Sequence, residues 1–318
     1  MGLATWCGCA APPAVVPGPV PSADPSTHKR VSVTAGSAQP AGLAGTIAFQ
    51  SDRDGRAKLF TLDLRSGAIA RITSGANHHD VEPAWSPDGR RLVFSSTRFD
   101  SRTFDLAVAE AAAPDAARRV TTHGAFERQP VWAADGGSLF FAGEHDGTQA
   151  LFRIALDGGG LVRVSPLPQR ALMPAVAPDG RGVAYVQGGT DGLQLVTQEL
   201  PAGQPMRLSA GAEDAAWPSW SPDGARLACI RLDGESRATL DVIEVASRTR
   251  TSYHLEGLHG LREPAWAPDG RGLVVAGAAT TGSGSDWDLM FVALDQVPLF
   301  VRLTSGRGND TAPSWSAR

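Results

Sequence analysis

Four of the seven histidines in this 318-residue chain fall in six short segments, five of which also carry carboxylates. The segments read GANHHDVE (75–82), THGAFERQ (122–129), SPLPQRALM (165–173), GAEDAAW (211–217), LEGLHGLRE (255–263) and GRGNDTA (306–312). They bring His78, His79, Asp80, Glu82, His123, Glu127, Glu213, Asp214, His259, Glu263 and Asp310 into comparable positions along the chain. Imidazoles suit transition metals, and carboxylates suit hard cations or the basic groups of a protein or peptide partner. His78, His123 and His259 are the candidate metal ligands, because His79 adjoins His78 and neighbouring side chains diverge unless the loop turns. The same residues also suit a structural role as solvated loop side chains and strand-start caps. In that role Asp80 and Asp310 would bond nearby backbone amides.

Each segment ends at a repeated unit. PAWSPDG at Pro83 returns as PVWAADG at Pro130, PAVAPDG at Pro174, PSWSPDG at Pro218, PAWAPDG at Pro264 and PSWS at Pro313. Positions 85, 132, 176, 220, 266 and 315 align, and five of the eight tryptophans occupy them: Trp85, Trp132, Trp220, Trp266 and Trp315. A period of 44 to 49 residues is that of a propeller or solenoid unit. The PDG step predicts a type I turn, with Gly89, Gly136, Gly180, Gly224 and Gly270 in its last position.

The unit reads as four strands. In the second, PAWS (83–86), RLVFSS (91–96), FDLAVAE (104–110) and RRVTT (118–122) are separated by turn residues, with no helical period. Four short strands per repeat predict an all-β, six-bladed β-propeller. Small residues flank each Trp on one face, as in Ala84/Ser86 and Ala265/Ala267. They fit an innermost strand crowded by converging blades, with the Trp filling the gap to the neighbouring blade.

The first and last units complement each other. TIAFQS, KLFTLDL and IARIT (46–73) lack an innermost strand, and PSWS (313–316) supplies one. The C-terminal strand therefore closes the ring with the N-terminal blade, giving a propeller over 46–318. Segments from an outermost strand to the next innermost strand then share one face. This gathers the histidines and acids at the mouth of the central channel, where a cation is the one conceivable cofactor.

The PxWSPDGxxLxFxS unit, with SDRDG (51–55) and terminal RIT or RLT steps, resembles the repeat of TolB-type six-bladed propellers. The resemblance implies a non-enzymatic, protein-binding scaffold of the bacterial envelope, of Tol-Pal type. It implies a periplasmic or outer-membrane-anchored location, a monomer, and a protein or peptide partner such as an envelope lipoprotein. Residues 1–45, rich in Pro and Ala, are expected to be a flexible leader or tether rather than the α/β domain that precedes the propeller in that family. Gly8-Cys9-Ala10-Ala11 loosely fits a lipidation signal, whereas Trp6, Cys7 and the missing apolar stretch do not. Related repeats also occur in prolyl oligopeptidase-type enzymes, whose Gly-x-Ser-x-Gly elbow is absent here. A metal-dependent lyase acting on acidic oligosaccharides, built on the loop histidines, is the alternative function.

Other classes find little support. The net charge of −4 and the scattered arginines give no basic stripe for nucleic acid. No apolar run reaches the roughly 20 residues of a membrane helix. There is no HExxH or CxxC, and GSGS at 282–285 is a weak phosphate loop. Cys229, in the apolar RLACIRL, is expected to be a buried free thiol.

Overall fold

The computed structural model describes residues 27–33 and 42–318, apart from residues 101, 124–125, 146, 190–191, 210–212, 233–237, 280–285, 295–298 and 307. Cys9 and the GSGS stretch lie outside the described residues. Six four-stranded antiparallel blades form the predicted propeller. Blade 1 joins both ends of the repeat region, in the order Asp310–Ser316, Thr46–Ser51, Lys58–Asp63 and Ile69–Arg71 from the channel outward. Blade 2 runs Asp80–Trp85, Arg91–Ser96, Asp105–Glu110, Arg118–Arg119. The innermost strands of blades 3 to 6 are Glu127–Trp132, Ala171–Val176, Asp214–Trp220 and Leu258–Trp266.

These innermost strands begin three to six residues before the position expected from PAWS. Six of the candidate acids, Asp80, Glu82, Glu127, Asp214, Glu263 and Asp310, therefore lie within strands rather than loops, as does His259. The cause is a bulge. In every blade the residue before the repeat's proline takes φ between 50° and 58°: Glu82, Gln129, Met173, Trp217, Glu263 and Ala312. The strand pairing slips at each of these sites. Proline cannot donate to the ladder and disfavours the helical region for its predecessor, so pairing continues only through an irregularity.

The core sits between blades. Val93, Leu106 and Val108 of blade 2 pack on Leu139, Phe141 and Ile154 of blade 3. Ile47, Phe49 and Leu62 of blade 1 pack likewise on Val274, Leu289 and Phe291 of blade 6. Tryptophans join neighbouring inner strands by hydrogen bonds as well as packing. Trp132 Nε1 donates to Ala84 O at 3.0 Å, Trp220 Nε1 to Ala175 O at 3.1 Å and Trp266 Nε1 to Ser219 O at 2.9 Å. The acceptor in each case is the residue after the preceding blade's proline. Trp315 departs from this pattern and donates to Ala44 O at 3.1 Å. In two blades an arginine tightens the step: Arg91 and Arg226 donate to Gly136 O and Gly270 O, and lie 4.7 and 4.6 Å from the ring centres of Trp132 and Trp266.

The turn glycines all have positive φ, which a Cβ disfavours. At Gly89 a Cβ would also approach Ser316 Oγ to 2.6 Å, so this turn packs directly on the closing strand. The terminal RIT-type steps have a structural role. Thr73, Thr121, Ser165, Ser209 and Thr304 each accept a hydrogen bond from the third strand of their blade, through the amides of Leu59, Leu106, Leu151, Leu195 and Leu289. Cys229 is buried as expected, and burial pushes its thiol pKa up.

One element was not anticipated. Thr27–Val33, inside the segment expected to be a flexible leader, is a strand. It pairs in parallel with the outermost strand of blade 5, from Thr27 opposite Thr251 to Val31 opposite Leu255, then passes to Leu299 and Phe300 of blade 6. Val31 is fully buried. A blade's outer edge exposes unpaired backbone groups, and an extended segment satisfies them. The Pro- and Ala-rich surroundings conceal seven residues, THKRVSV, of which four in a row are polar, so no hydrophobic alternation marks the strand.

Ring closure yields a testable outcome. Deleting residues 313–318 removes Trp315 and most of an inner strand, so thermal unfolding is expected to shift down as a whole rather than split off one early step. Trp266→Ala, which empties a buried inter-blade site, is expected to cost about 3–5 kcal/mol by denaturant titration.

Candidate functional site

The positive-φ residues form a relay around the channel. Four of the six hand a side chain to the backbone of the next blade. Glu82 Oε2 accepts from Gln129 N at 2.8 Å, Gln129 Oε1 from Met173 N at 3.0 Å, and Met173 Sδ from Trp217 N at 3.3 Å. Glu263 Oε2 accepts from Ala312 N at 2.6 Å. Ala312 has no side chain to pass on, and Gln50 takes its place. Its Nε2 donates to Thr311 Oγ1 at 2.8 Å, and its Oε1 accepts from Glu82 N at 2.9 Å. The step from blade 5 to blade 6 lacks such a bond among the described residues, because the indole of Trp217 offers no acceptor. The relay surrounds a channel of about 590 Å³, walled by the repeat's prolines, tryptophans and small residues.

Most of the sequence-predicted acids are engaged inside the protein. Asp80 is fully buried. It accepts from Ser96 Oγ at 2.7 Å, Arg98 Nη2 at 2.9 Å and Lys58 Nζ at 3.3 Å. Asp310 is buried and held by Arg53, which also donates through Nε to Ser51 Oγ at 2.9 Å. Both acids are thus bound by basic side chains rather than by the backbone amides expected of caps. Glu82 takes a two-pronged bond from Arg128, at 2.8 and 2.7 Å, and a third donor, Ser95 Oγ, at 3.0 Å. Asp214 Oδ1 accepts from Leu193 N at 2.6 Å, pinning a hairpin of blade 4. Glu213 is more open and meets Arg250 at 2.9 Å and Arg231 at 3.4 Å.

The histidines part company. His78 Nε2 lies 3.2 Å from Asp80 Oδ2, and burial lowers its pKa against the pull of that carboxylate. His79 Nε2 meets Arg56 Nη1 at 2.9 Å; burial and that cation lower its pKa, so the ring accepts the bond as the neutral form. His259 is exposed on blade 6. The proposed set of His78, His123 and His259 therefore does not converge. Among the described residues, the group of three potential ligand side chains that meets is His123, Glu127 and His145, with ligand atoms all within 4.8 Å of one another. Glu127 is fully buried, and burial pushes its carboxyl up to about 7, with the Thr121 hydroxyl pulling the other way.

Sequence reasoning missed the partners rather than the acids. Lys58, Arg53, Arg98, Arg128, Gln129 and His145 were not singled out. The signal was available as a Ser-x-Arg step after the second strand, SDR (51–53) and STR (96–98), which becomes GEH (143–145) in blade 3.

This geometry defines a six-bladed propeller whose blades are joined by side chains from the inner strands. Residues 79–260 match the family model described as the TolB beta propeller domain, PD40, and the chain belongs to that family. The Tol-Pal system protein TolB of Francisella tularensis subsp. tularensis is 22% identical over 237 residues, 70% of this chain and 52% of that protein. The chain thus spans about half the length of the curated relatives it matches. Among solved structures, TolB from Acinetobacter baumannii superposes with a TM-score of 0.72 at 19% identity, over 87% of this chain and 67% of that one. An oligogalacturonate lyase in complex with manganese shares the fold at a TM-score of 0.53 and 15% identity, over 80% of this chain and 72% of that one.

Glu263 makes a pH prediction. Burial pushes its pKa up to about 7, with the Ala312 amide and the Arg262 and Arg128 guanidinium groups pulling down and Glu82 pushing up. An unfolded Glu titrates near 4.3. Between the two values the native state holds more protons, so this group's contribution to stability falls as pH rises and is least above pH 7. Glu263→Gln keeps an acceptor for Ala312 N. It is expected to be more stable than the parent by about 1–2 kcal/mol at pH 8, after allowance for solvent screening, and to converge with it near pH 4. Urea titrations across this range check it.

Proposed function

We propose that the chain is a non-enzymatic, protein-binding propeller of a bacterial envelope, exported to the periplasm and acting as a monomer. The observation that carries this reading is the channel rim. Met173 and Trp217 stand half-buried in the channel wall beside Glu263, an apolar and acidic surface suited to an inserted peptide segment. The acids that would serve catalysis are tied to Arg53, Lys58, Arg98 and Arg128. Membership of the TolB propeller family supports the same reading, as does the match to a Tol-Pal system protein. No helix of the described residues is long and apolar enough to cross a membrane. Tethering through a lipidated Cys9 belongs to this proposal, with an envelope lipoprotein as the partner. The lyase alternative needs His78, His123 and His259 to act together, and their separation counts against it.

The test is affinity capture with the purified full chain against solubilised envelope proteins, read by mass spectrometry. One lipoprotein is expected at near one-to-one stoichiometry, weakened about tenfold or more by Trp217→Ala, an aromatic at the centre of the surface. Capture unaffected by that change, or turnover of an acidic oligosaccharide by the purified protein, would overturn the proposal.

A further inference from the structure

Blades 1, 2 and 3 place an acid at the first position of the innermost strand: Asp310, Asp80 and Glu127. The residue opposite it on the second strand is Ser51, Ser96 and Gly143 in turn. Two residues further on stand Arg53, Arg98 and His145. In blade 1 Arg53, itself held by Ser51, neutralises Asp310, and in blade 2 Arg98 and Lys58 neutralise Asp80 while Ser96 donates to it. In blade 3 both are replaced. Neither oxygen of Glu127 accepts a hydrogen bond of normal geometry, although the side chain is fully buried. Arg119, whose charge acts on Glu127 through space, is bonded at 2.6 Å to a different buried acid, Asp105. A buried carboxylate without a cation is costly.

Two imidazoles occupy the space. His145 Nε2 lies 3.4 Å from Glu127 Oε1, and His123 Nδ1 lies 3.9 Å from the same oxygen. The two rings meet edge to face with centroids 5.3 Å apart. The glycine at 143 permits this, because a Cβ there would stand 3.1 Å from His145 Nε2 and force the ring away. Phe152, with its ring centroid 4.5 Å from that of His145, gives the cluster an apolar wall. His123, 37% exposed, opens it to solvent.

We propose that His123, Glu127 and His145 bind one divalent transition-metal ion, with zinc the best match to two imidazoles and one carboxylate. Ligand atoms about 2.0–2.2 Å from a tetrahedral zinc stand roughly 3.3–3.6 Å apart, so the observed spacing needs only small side-chain rotations. The ion supplies the positive charge that Arg53 and Arg98 supply in the sister blades. Three protein ligands leave a fourth position for water or for a donor from a partner. The longer Glu, in place of Asp, provides the reach.

The test uses the full chain, stripped with chelator and dialysed, then titrated with zinc by calorimetry and checked by elemental analysis. One zinc per chain is expected, with a rise in Tm. His145→Ala and Glu127→Gln are each expected to weaken binding beyond the ~10–100-fold that loss of an outer-shell partner costs. The double change Gly143→Ser with His145→Arg rebuilds the pattern of blades 1 and 2. It is expected to fold at least as stably as the metal-free parent and to bind no zinc at this site. Absence of stoichiometric zinc in the parent, or zinc retained by the double variant, overturns the proposal. Lipoprotein capture that persists in the zinc-free double variant leaves the proposed function standing while the metal site is judged alone.

Discussion

The structure depends on one backbone constraint, repeated six times. A residue with a Cβ is held in the left-handed region immediately before a proline, in the middle of an inner strand. Such a conformation costs on the order of 1–3 kcal/mol and persists only where the surroundings enforce it. Here the surroundings are the neighbouring blades. The bulge aims the side chain sideways, toward the backbone amide of the next blade's bulge, and that amide has lost its ladder partner. Glu82, Gln129, Met173 and Glu263 each satisfy such an amide. The local strain thus becomes an inter-blade bond, and the ring cannot form one such bond well without the next blade in place.

The same geometry explains why Asp80, Glu82 and Asp310 gather near the channel yet are tied to basic side chains. In blades 1, 2 and 3 the first residue of the inner strand is a buried acid, and a buried charge needs a partner. Blades 1 and 2 provide arginine and serine, and the acid becomes part of the scaffold. Blade 3 departs from the pattern in three places at once, Glu for Asp, Gly for Ser and His for Arg. Three coordinated changes at one site are a different kind of signal from a lone histidine on a loop. The two proposals rest on separate places in the fold, the channel wall lined by Met173, Trp217 and Glu263 and the His123, Glu127 and His145 cluster of blade 3.

Much of the fold was legible because its determinants are local and periodic. The turn needs Pro, Asp and Gly, the gap between blades needs Trp, and the inner face needs small residues, all within one heptapeptide. Ring closure was legible from two incomplete units. The strand at Thr27–Val33 was not, since its pairing is with residues more than 200 positions away and its neighbours are Pro and Ala. The site was legible in part. Asp80, Glu127 and Asp310 stood out by type and by distance from the proline, but their partners sit on the second strand and its hairpin. His123 was picked with His78 and His259 because all three lie in equivalent segments. Equivalent segments on different blades are spread around the ring, so sequence equivalence separates those side chains. His145, which does reach His123, belongs to the same blade and a different connection.

The relay at the channel is tested most directly by native-state hydrogen exchange at the amides of Gln129, Met173 and Ala312. Each is bonded only to a side chain of the preceding blade. If those bonds unite the ring, the three amides exchange only through global unfolding, with the same free energy as the central strands. Exchange at the rate of open loops, while the strands stay protected, would contradict the account.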